Sequence, residues 1–309
     1  MNIAEIIRNT TKPLFSFEVL PPLKGTSIES IYRTIDPLLE FKPQFINITT
    51  HCEQYDSTGK RTRKRPGTVA VAAAIKHKYN IPVVPHILCG GFTREETEYV
   101  LIDLNFLEIH NLLVLRGDGR NKENYQPEDG GNRYAVDLLQ QINDMNQGKY
   151  LSDENPNTSV KTSFYCGVAG YPEKHYSASS LDEDIKNLKA KVDAGAQYIV
   201  TQMFFDNEKY YEFVKKCRAI GITVPIIPGL KPIGFKSQVD VLPKIFACHL
   251  PEELEHSLRQ CKTDADAARV GTAWSIQQAK ELIQFGVPSL HWFTYSDPSQ
   301  VVEIAKAVY

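Results

Sequence analysis

The sequence predicts an α/β protein, a (β/α)8 barrel forming a single domain over residues 1–309. Eight apolar runs of strand length alternate with helix-forming segments, the pattern of repeated βα units. Most of the long polar stretches follow strands, which puts them on the C-terminal face where barrel enzymes carry their chemistry. No G-x-G-x-x-G follows any strand. The usual dinucleotide fingerprint of a doubly wound sheet, the alternative architecture, is therefore missing.

The first strand organises the rest. In Leu14-Phe15-Ser16-Phe17-Glu18-Val19-Leu20, alternation puts Phe15, Phe17 and Val19 on one face and Ser16 and Glu18 on the other. Pro21 and Pro22 cannot extend a ladder, so Glu18 is expected at the strand's C-terminal end. An amphipathic stretch over 28–41 leads to a second strand at 44–50, and a polar loop reaches Gly67. The alanine-rich run 68–79 favours helix, and the third strand spans 81–89. Thr93 and Glu96 have capping-box spacing and open a helix reaching about Leu107. The fourth strand, 110–115, runs into the turn Arg116-Gly117-Asp118-Gly119, then a long loop and a helix over 135–145. After the loop 146–159, the fifth strand occupies 163–169.

A second capping box is expected at Ser180 and Glu183, before an apolar stripe of Leu181, Ile185, Leu188 and Val192 that stops at Gly195. The sixth strand is 198–204, a helix spans 207–220, and the seventh strand is 224–230. Residues 238–284 read as helix with breaks, and the eighth strand is 290–294. Asp297-Pro298 caps a closing helix with Val301, Ile304, Ala305 and Val308 on one face.

Composition narrows the function classes. With 42% hydrophobic and 23% charged residues the chain is an ordinary globular one, and its net charge of −2 gives no global reason to expect a nucleic-acid partner. No apolar run is long enough to span a bilayer, and Glu5 and Arg8 interrupt the N-terminus where a signal peptide would be apolar. A cytoplasmic location without membrane attachment is expected. Cys52, Cys89, Cys166, Cys217, Cys248 and Cys261 include no C-x-x-C pair, which argues against a zinc cage and for reduced thiols. Closing the barrel should bring the polar groups at strand ends, Glu18, Thr49, His86, Asp118 and Gln202, to one mouth.

Several segments carry a resemblance: Phe15-Ser16-Phe17-Glu18 with Pro21-Pro22, Pro85-His86, Leu115-Arg116-Gly117-Asp118, Tyr171-Pro172-Glu173 with His175, Lys191 to Ala196, Thr201-Gln202 with Phe204-Phe205-Asp206, Ile227-Pro228-Gly229, and His291 with Thr294. Together they resemble the methylenetetrahydrofolate reductases along essentially the whole chain. The resemblance implies a (β/α)8 barrel holding FAD without a Rossmann fold. It implies a ping-pong reaction in which NADH or NADPH reduces the flavin, and 5,10-methylenetetrahydrofolate then takes the same site and becomes 5-methyltetrahydrofolate for methionine supply.

The folate must open to an iminium cation, which needs a proton on N10. Glu18 matches the family's general acid, and desolvation beside a second acid suits a carboxyl that must keep its proton. Asp118 matches the residue near both flavin and folate, where a carboxylate stabilises the cation and holds the flavin potential low. Gln202, Gln238 and Thr49 match substrate contacts. FAD is expected against Thr50, His86, Arg116, Gly117, Asp118, Tyr134, Ala135, Tyr171, His175, Asp184, Asn187 and Lys191. The last three lie at i, i+3 and i+7 on one helix face, which spacing alone would read as a solvated face.

Some positions depart from the family pattern. Ala190 stands where many members are basic, Thr50-His51-Cys52 replaces a tyrosine-glycine-alanine run, and Asp297 falls where some relatives have an arginine for the folate. The basic loop 60–65 is a solvated loop or an attractor for the glutamate tail or for phosphates. A homo-oligomer is expected, and so is the absence of the eukaryotic C-terminal domain that senses S-adenosylmethionine. The rival readings are a metal-dependent lyase or hydrolase using His51, His86, His110 or His291, and a flavin-binding module without catalysis. The histidines lack any tight ligand spacing, and no metal is expected.

Overall fold

Strand β1 (Leu14–Val19) lies between β2 (Phe45–Ile48) and the last strand, β11 (Ser289–Tyr295), in a sheet whose pairings are all parallel. The computed structural model describes residues 2–50, 54–55, 61–62, 64–117, 125–152 and 158–309. A short hairpin, β3 (Gln54–Tyr55) with β4 (Arg61–Thr62), follows β2. The sheet continues through β5 (Val83–Leu88), β6 (Asn111–Leu115), β7 (Tyr165–Gly170), β8 (Tyr198–Thr201) and β9 (Ile226–Ile227). Strand β10 (Gly229–Leu230) pairs with β11 on the far side. Pro228 alone separates β9 from β10, and its carbonyl accepts the His291 N–H at 3.0 Å. The two segments are thus one strand position broken by a residue that cannot donate, and the barrel closes through it.

Between the strands come α2 (Glu29–Ile35), α3 (Thr68–Tyr79), α4 (Arg94–Phe106), α5 (Ala135–Asn146), α6 (Leu181–Asp193) and α7 (Asn207–Ala219). The chain then forms α8 (Gln238–Phe246), α9 (Glu252–Gln260), α10 (Asp264–Phe285) and α11 (Ser299–Val308). Alternation along β1 is as the sequence predicts. Phe15, Phe17 and Val19 pack with Ile35, Ile75, Leu101 and Trp292 in the layer between strands and helices, while Ser16 and Glu18 are also buried.

The barrel bottom is sealed by α1 (Ile3–Asn9), a helix the periodicity did not predict. Its Ile3, Ala4 and Ile7 join Phe45, Val84, Leu113, Tyr198, Val200 and Ile227 in an apolar cluster of inward-facing residues. The Ile3 N–H donates to Asn111 Oδ1 at 3.0 Å, tying the plug to the start of β6.

Other expectations need adjustment. The stretch 28–41 is α2 followed by a 3-10 helix, Asp36–Phe41, because Pro37 cannot donate in a continuing α-helix. The Thr93/Glu96 capping box is complete. At α6, Ser180 accepts from the Glu183 N–H at 3.1 Å, but the Glu183 carboxylate reaches back to the Ser179 N–H at 2.8 Å, so that box is only half formed. A third box, not predicted, opens α10 at Thr263 and Asp266. Asp297 caps α11 as expected, accepting from the Ser299 N–H at 2.9 Å.

Candidate active site

Glu18 is the penultimate residue of β1 and is 7% exposed. Its Oε2 lies 3.9 Å from His86 Nε2 and 3.8 Å from His291 Nε2. Strand alternation explains the gathering: Glu18, Asn47, His86 and His291 stand on the inward face of β1, β2, β5 and β11, above the apolar layer. Asn47 Nδ2 is 3.3 Å from His86 Nε2, and Ser16 Oγ is 2.9 Å from His291 Nδ1. The His291 ring stacks on Phe45 at 5.9 Å and makes a T-shaped contact with Phe293 at 5.7 Å, which restrict its rotation. His86 is the fourth residue of six in β5 rather than at the strand end the sequence predicts, and it points into the barrel instead of out of its rim.

At the rim, β11 carries one extra residue against β1, since Glu18 faces Phe293 and Val19 faces Tyr295. Tyr295 takes a left-handed φ of 56° there. Lys231, just after β10, sets its Nζ 5.2 Å from the Tyr295 ring. Burial pulls that ammonium down to about 8, while Glu18 and Asp297 hold it up. Sequence reasoning missed Asn47 and Lys231. Strand parity through Phe45, Asn47 and Thr49 could have found the first.

Thr49 is buried next to β1 and its N–H donates to the Val19 carbonyl at 3.1 Å. Thr50 donates its hydroxyl to the His86 carbonyl at 2.6 Å. Gln202 follows β8 directly, its N–H bonded to Gly170 at 2.8 Å and its Oε1 accepting from Met203 at 2.9 Å. Gln238 opens α8 and its Oε1 accepts from the N–H groups of Gly234 at 2.7 Å and Phe235 at 3.1 Å, holding the loop after β10. Asp118 lies outside the described residues, as do His51, Cys52, Lys60 and Arg63.

A second cluster forms around the ends of β6 and β7. Arg116 donates to the Tyr176 hydroxyl at 3.2 Å and sits 5.1 Å from the Tyr125 ring. Gly117 next to it has a φ of 84°, which a side chain would disfavour. The His175 ring lies 4.8 Å from Tyr171 and 4.3 Å from Tyr176. The His175 N–H donates to Asp184 Oδ2 at 2.9 Å, and Lys191 Nζ donates to the Ala169 carbonyl at 2.7 Å. Asn187, exposed, lies one turn from Asp184. Tyr125 brings the segment leading to α5 against Arg116; Tyr134, exposed, caps that helix and Ala135, buried, begins it.

The charges here favour an anion. Burial pulls Lys191 down to about 8, Arg116 pushes the same way, and Asp184 opposes them. Asp184, which already accepts a backbone N–H, is faced by Lys191 and Lys174 with Glu183 beside it, and Arg116 adds a further positive charge next to Lys191, so cations are in excess here. A diphosphate would relieve that excess, so the residues present fit the FAD that the resemblance implies. Among the described residues no group of three His, Cys, Asp or Glu side chains is placed to hold a metal ion. No helix among them is long and apolar enough to cross a membrane.

Fold and site together define a (β/α)8-barrel protein with an inward acid between two imidazoles and an anion-favouring cluster on the same rim. The family model for methylenetetrahydrofolate reductase matches residues 2–308. A 5,10-methylenetetrahydrofolate reductase of Salmonella typhimurium is 31% identical over 283 residues, covering 90% of this chain and 85% of that protein. Methylenetetrahydrofolate reductase 1 of Schizosaccharomyces pombe is 31% identical over 285 residues, 92% of this chain but 44% of that protein. The chain spans about half the length or less of this and similar eukaryotic relatives. A Clostridium thermocellum protein solved with two copies of 5-methyl-5,6,7,8-tetrahydrofolic acid shares the fold, with a TM-score of 0.63 at 15% identity over 98% of this chain and 97% of that one. The chain belongs to the methylenetetrahydrofolate reductase family.

Proposed function

We propose that this protein reduces 5,10-methylenetetrahydrofolate to 5-methyltetrahydrofolate in the cytoplasm, with NADH or NADPH as reductant and FAD as the resident carrier in a ping-pong cycle. The observation that carries the reading is Glu18, a nearly buried carboxyl held between His86 and His291 at the inner edge of the mouth. Bound FAD would supply the hydride transfer, from nicotinamide to the folate methylene. The protein's own part is acid catalysis, orientation and exclusion of water.

Protonated Glu18 gives its hydrogen to folate N10. The bond from N10 to the methylene carbon then breaks with its electrons going to N10, leaving a cationic iminium carbon able to accept hydride. Asp118 is assigned to stabilise that cation, and Gln202, Gln238 and Thr49 to orient the substrate. Arg116, His175, Asp184 and Lys191 would hold the cofactor's diphosphate and ribityl portion, with Tyr171, Gly117, Asn187, Thr50, His86, Tyr134 and Ala135 around it. Residues 1–309 would act as one FAD-binding catalytic barrel, assembled as a homo-oligomer.

Support comes from the relatives' names, which include both NADH and NADPH reductases, and from the folate bound by the clostridial protein of the same fold. The test is the visible spectrum of the purified protein. A yellow flavin should bleach with NADH or NADPH and recover its colour on adding 5,10-methylenetetrahydrofolate. A colourless protein that takes up no FAD, or a bleached flavin that folate leaves unchanged, would refute the proposal.

A further inference from the structure

Ser16 Oγ contacts two groups at once, the Leu290 carbonyl at 3.2 Å and His291 Nδ1 at 2.9 Å. A hydroxyl has one hydrogen, and a carbonyl can only accept. Both contacts are satisfied together only when Ser16 donates to Leu290 and Nδ1–H of His291 donates to Ser16. In the neutral ring this leaves Nε2 with a bare lone pair. That nitrogen is buried, has no hydrogen-bond partner, and faces Glu18 Oε2 at 3.8 Å. Such an orphan is costly inside a barrel unless the site uses it. His86 differs, because its Nε2 is within reach of Asn47 Nδ2 at 3.3 Å.

We propose that His291 is the positioning residue of the general acid: its Nε2 accepts the hydroxyl hydrogen of protonated Glu18, keeps it aimed, and releases it when the folate nitrogen arrives. This rests on the folate-reductase reading above. About 1 Å of movement in the Glu18 side chain brings the pair from 3.8 Å to hydrogen-bond distance. The imidazole is the more constrained partner, since Ser16 contacts its Nδ1, Phe45 stacks on its ring and Phe293 meets it in a T-shaped contact. The hydrogen that Glu18 passes to N10 is the one His291 had been accepting, and Glu18 is left as carboxylate until it takes a proton from water. Glu18 is also faced by His86 from β5, by Lys231 after β10 and by Tyr295 at the end of β11. These groups enter any pH dependence with it.

Two substitutions separate the roles of the two nitrogens. His291→Asn keeps a donor to Ser16 but has nothing at the Nε2 position, whereas His291→Gln can place an amide oxygen there. The readout is the rate of folate reduction divided by the rate of flavin reduction by NADH in the same preparation. The Asn variant should lower that ratio by roughly 10- to 100-fold, through kcat and not through the folate KM. The Gln variant should recover most of it. An unchanged ratio in the Asn variant, or equal loss in both variants, overturns the proposal. A second measurement needs no variant and no cofactor: in 15N-histidine spectra of the wild-type protein, His291 should show a protonated Nδ1 and a bare Nε2. The opposite tautomer overturns the proposal. Failure of the wild type to reduce folate would instead refute the functional reading, whatever the histidine spectra show.

Discussion

Lys191 offers a test of cofactor binding that does not depend on turnover. Burial holds its ammonium at about 8, well below the ordinary lysine value of about 10.4. A bound diphosphate adds negative charge beside it and raises that value, so binding takes up a proton whenever Lys191 starts out neutral. The sign follows. If Lys191 holds the diphosphate, FAD affinity should be full below pH about 8 and should fall as the pH rises through the free protein's value, by as much as about tenfold per pH unit. If the complex restores the ordinary lysine value, the total loss is two to three powers of ten, roughly 3 kcal/mol. Stability of the apoprotein runs the other way. Its folded-state value is depressed, so the unfolded chain binds more protons between about 8 and about 10.4, and stability rises with pH across that window.

The assay is quenching of FAD fluorescence from pH about 6.5 to about 9.5, with Lys191→Met beside the wild type. Loss of one charge-assisted contact should weaken binding at neutral pH by about 10- to 100-fold and should flatten the slope above pH about 8. Burial also pulls Lys231 down to about 8, but it belongs to the Glu18 side of the mouth, so its contribution would survive in the Lys191 variant. A wild-type affinity that stays level across the window, or a variant with the same slope as the wild type, refutes the assignment.

Glu18→Gln should lower the rate of folate reduction by about 10²- to 10⁴-fold while the protein still bleaches with NADH or NADPH; a fully active variant would show that the acid is elsewhere. Gly271→Ala should lower thermal stability by about 1–3 kcal/mol or more, because a Cβ on α10 would stand 2.0 Å from the Ile233 carbonyl; a melting temperature unchanged from wild type refutes that packing. Replacing the five basic residues of loop 60–65 with neutral ones should raise the KM for folate or for the nicotinamide at low salt, with the difference fading as salt is added. Neither constant moving at low salt assigns that loop to solvent. Its described part is consistent with a role at the rim, since Arg65 donates to the Pro21 carbonyl just past β1.

What could be read from the sequence was local. The two faces of β1 are written in consecutive residues, so Phe15, Phe17 and Val19 separate from Ser16 and Glu18 by alternation alone. The bounds of α3 and the box at Thr93 are equally local, because helix propensity and capping involve neighbours within one turn. The half-formed box at Ser180 shows the limit. The pattern specifies which residues can cap, but Ser179 offers Glu183 a backbone N–H and a hydroxyl together.

Helix α1 escaped notice because seven residues give the periodicity too little to act on. It is stable here because it plugs the bottom of the barrel. The tertiary structure alone decided that Glu18 stands between His86 and His291, that Ser16 fixes the His291 ring, and that Lys231 reaches Tyr295. Ser16 and His291 are 275 residues apart, and no local pattern relates them. They meet because β1 pairs with β11 when the barrel closes, and closure is a property of all the strands at once.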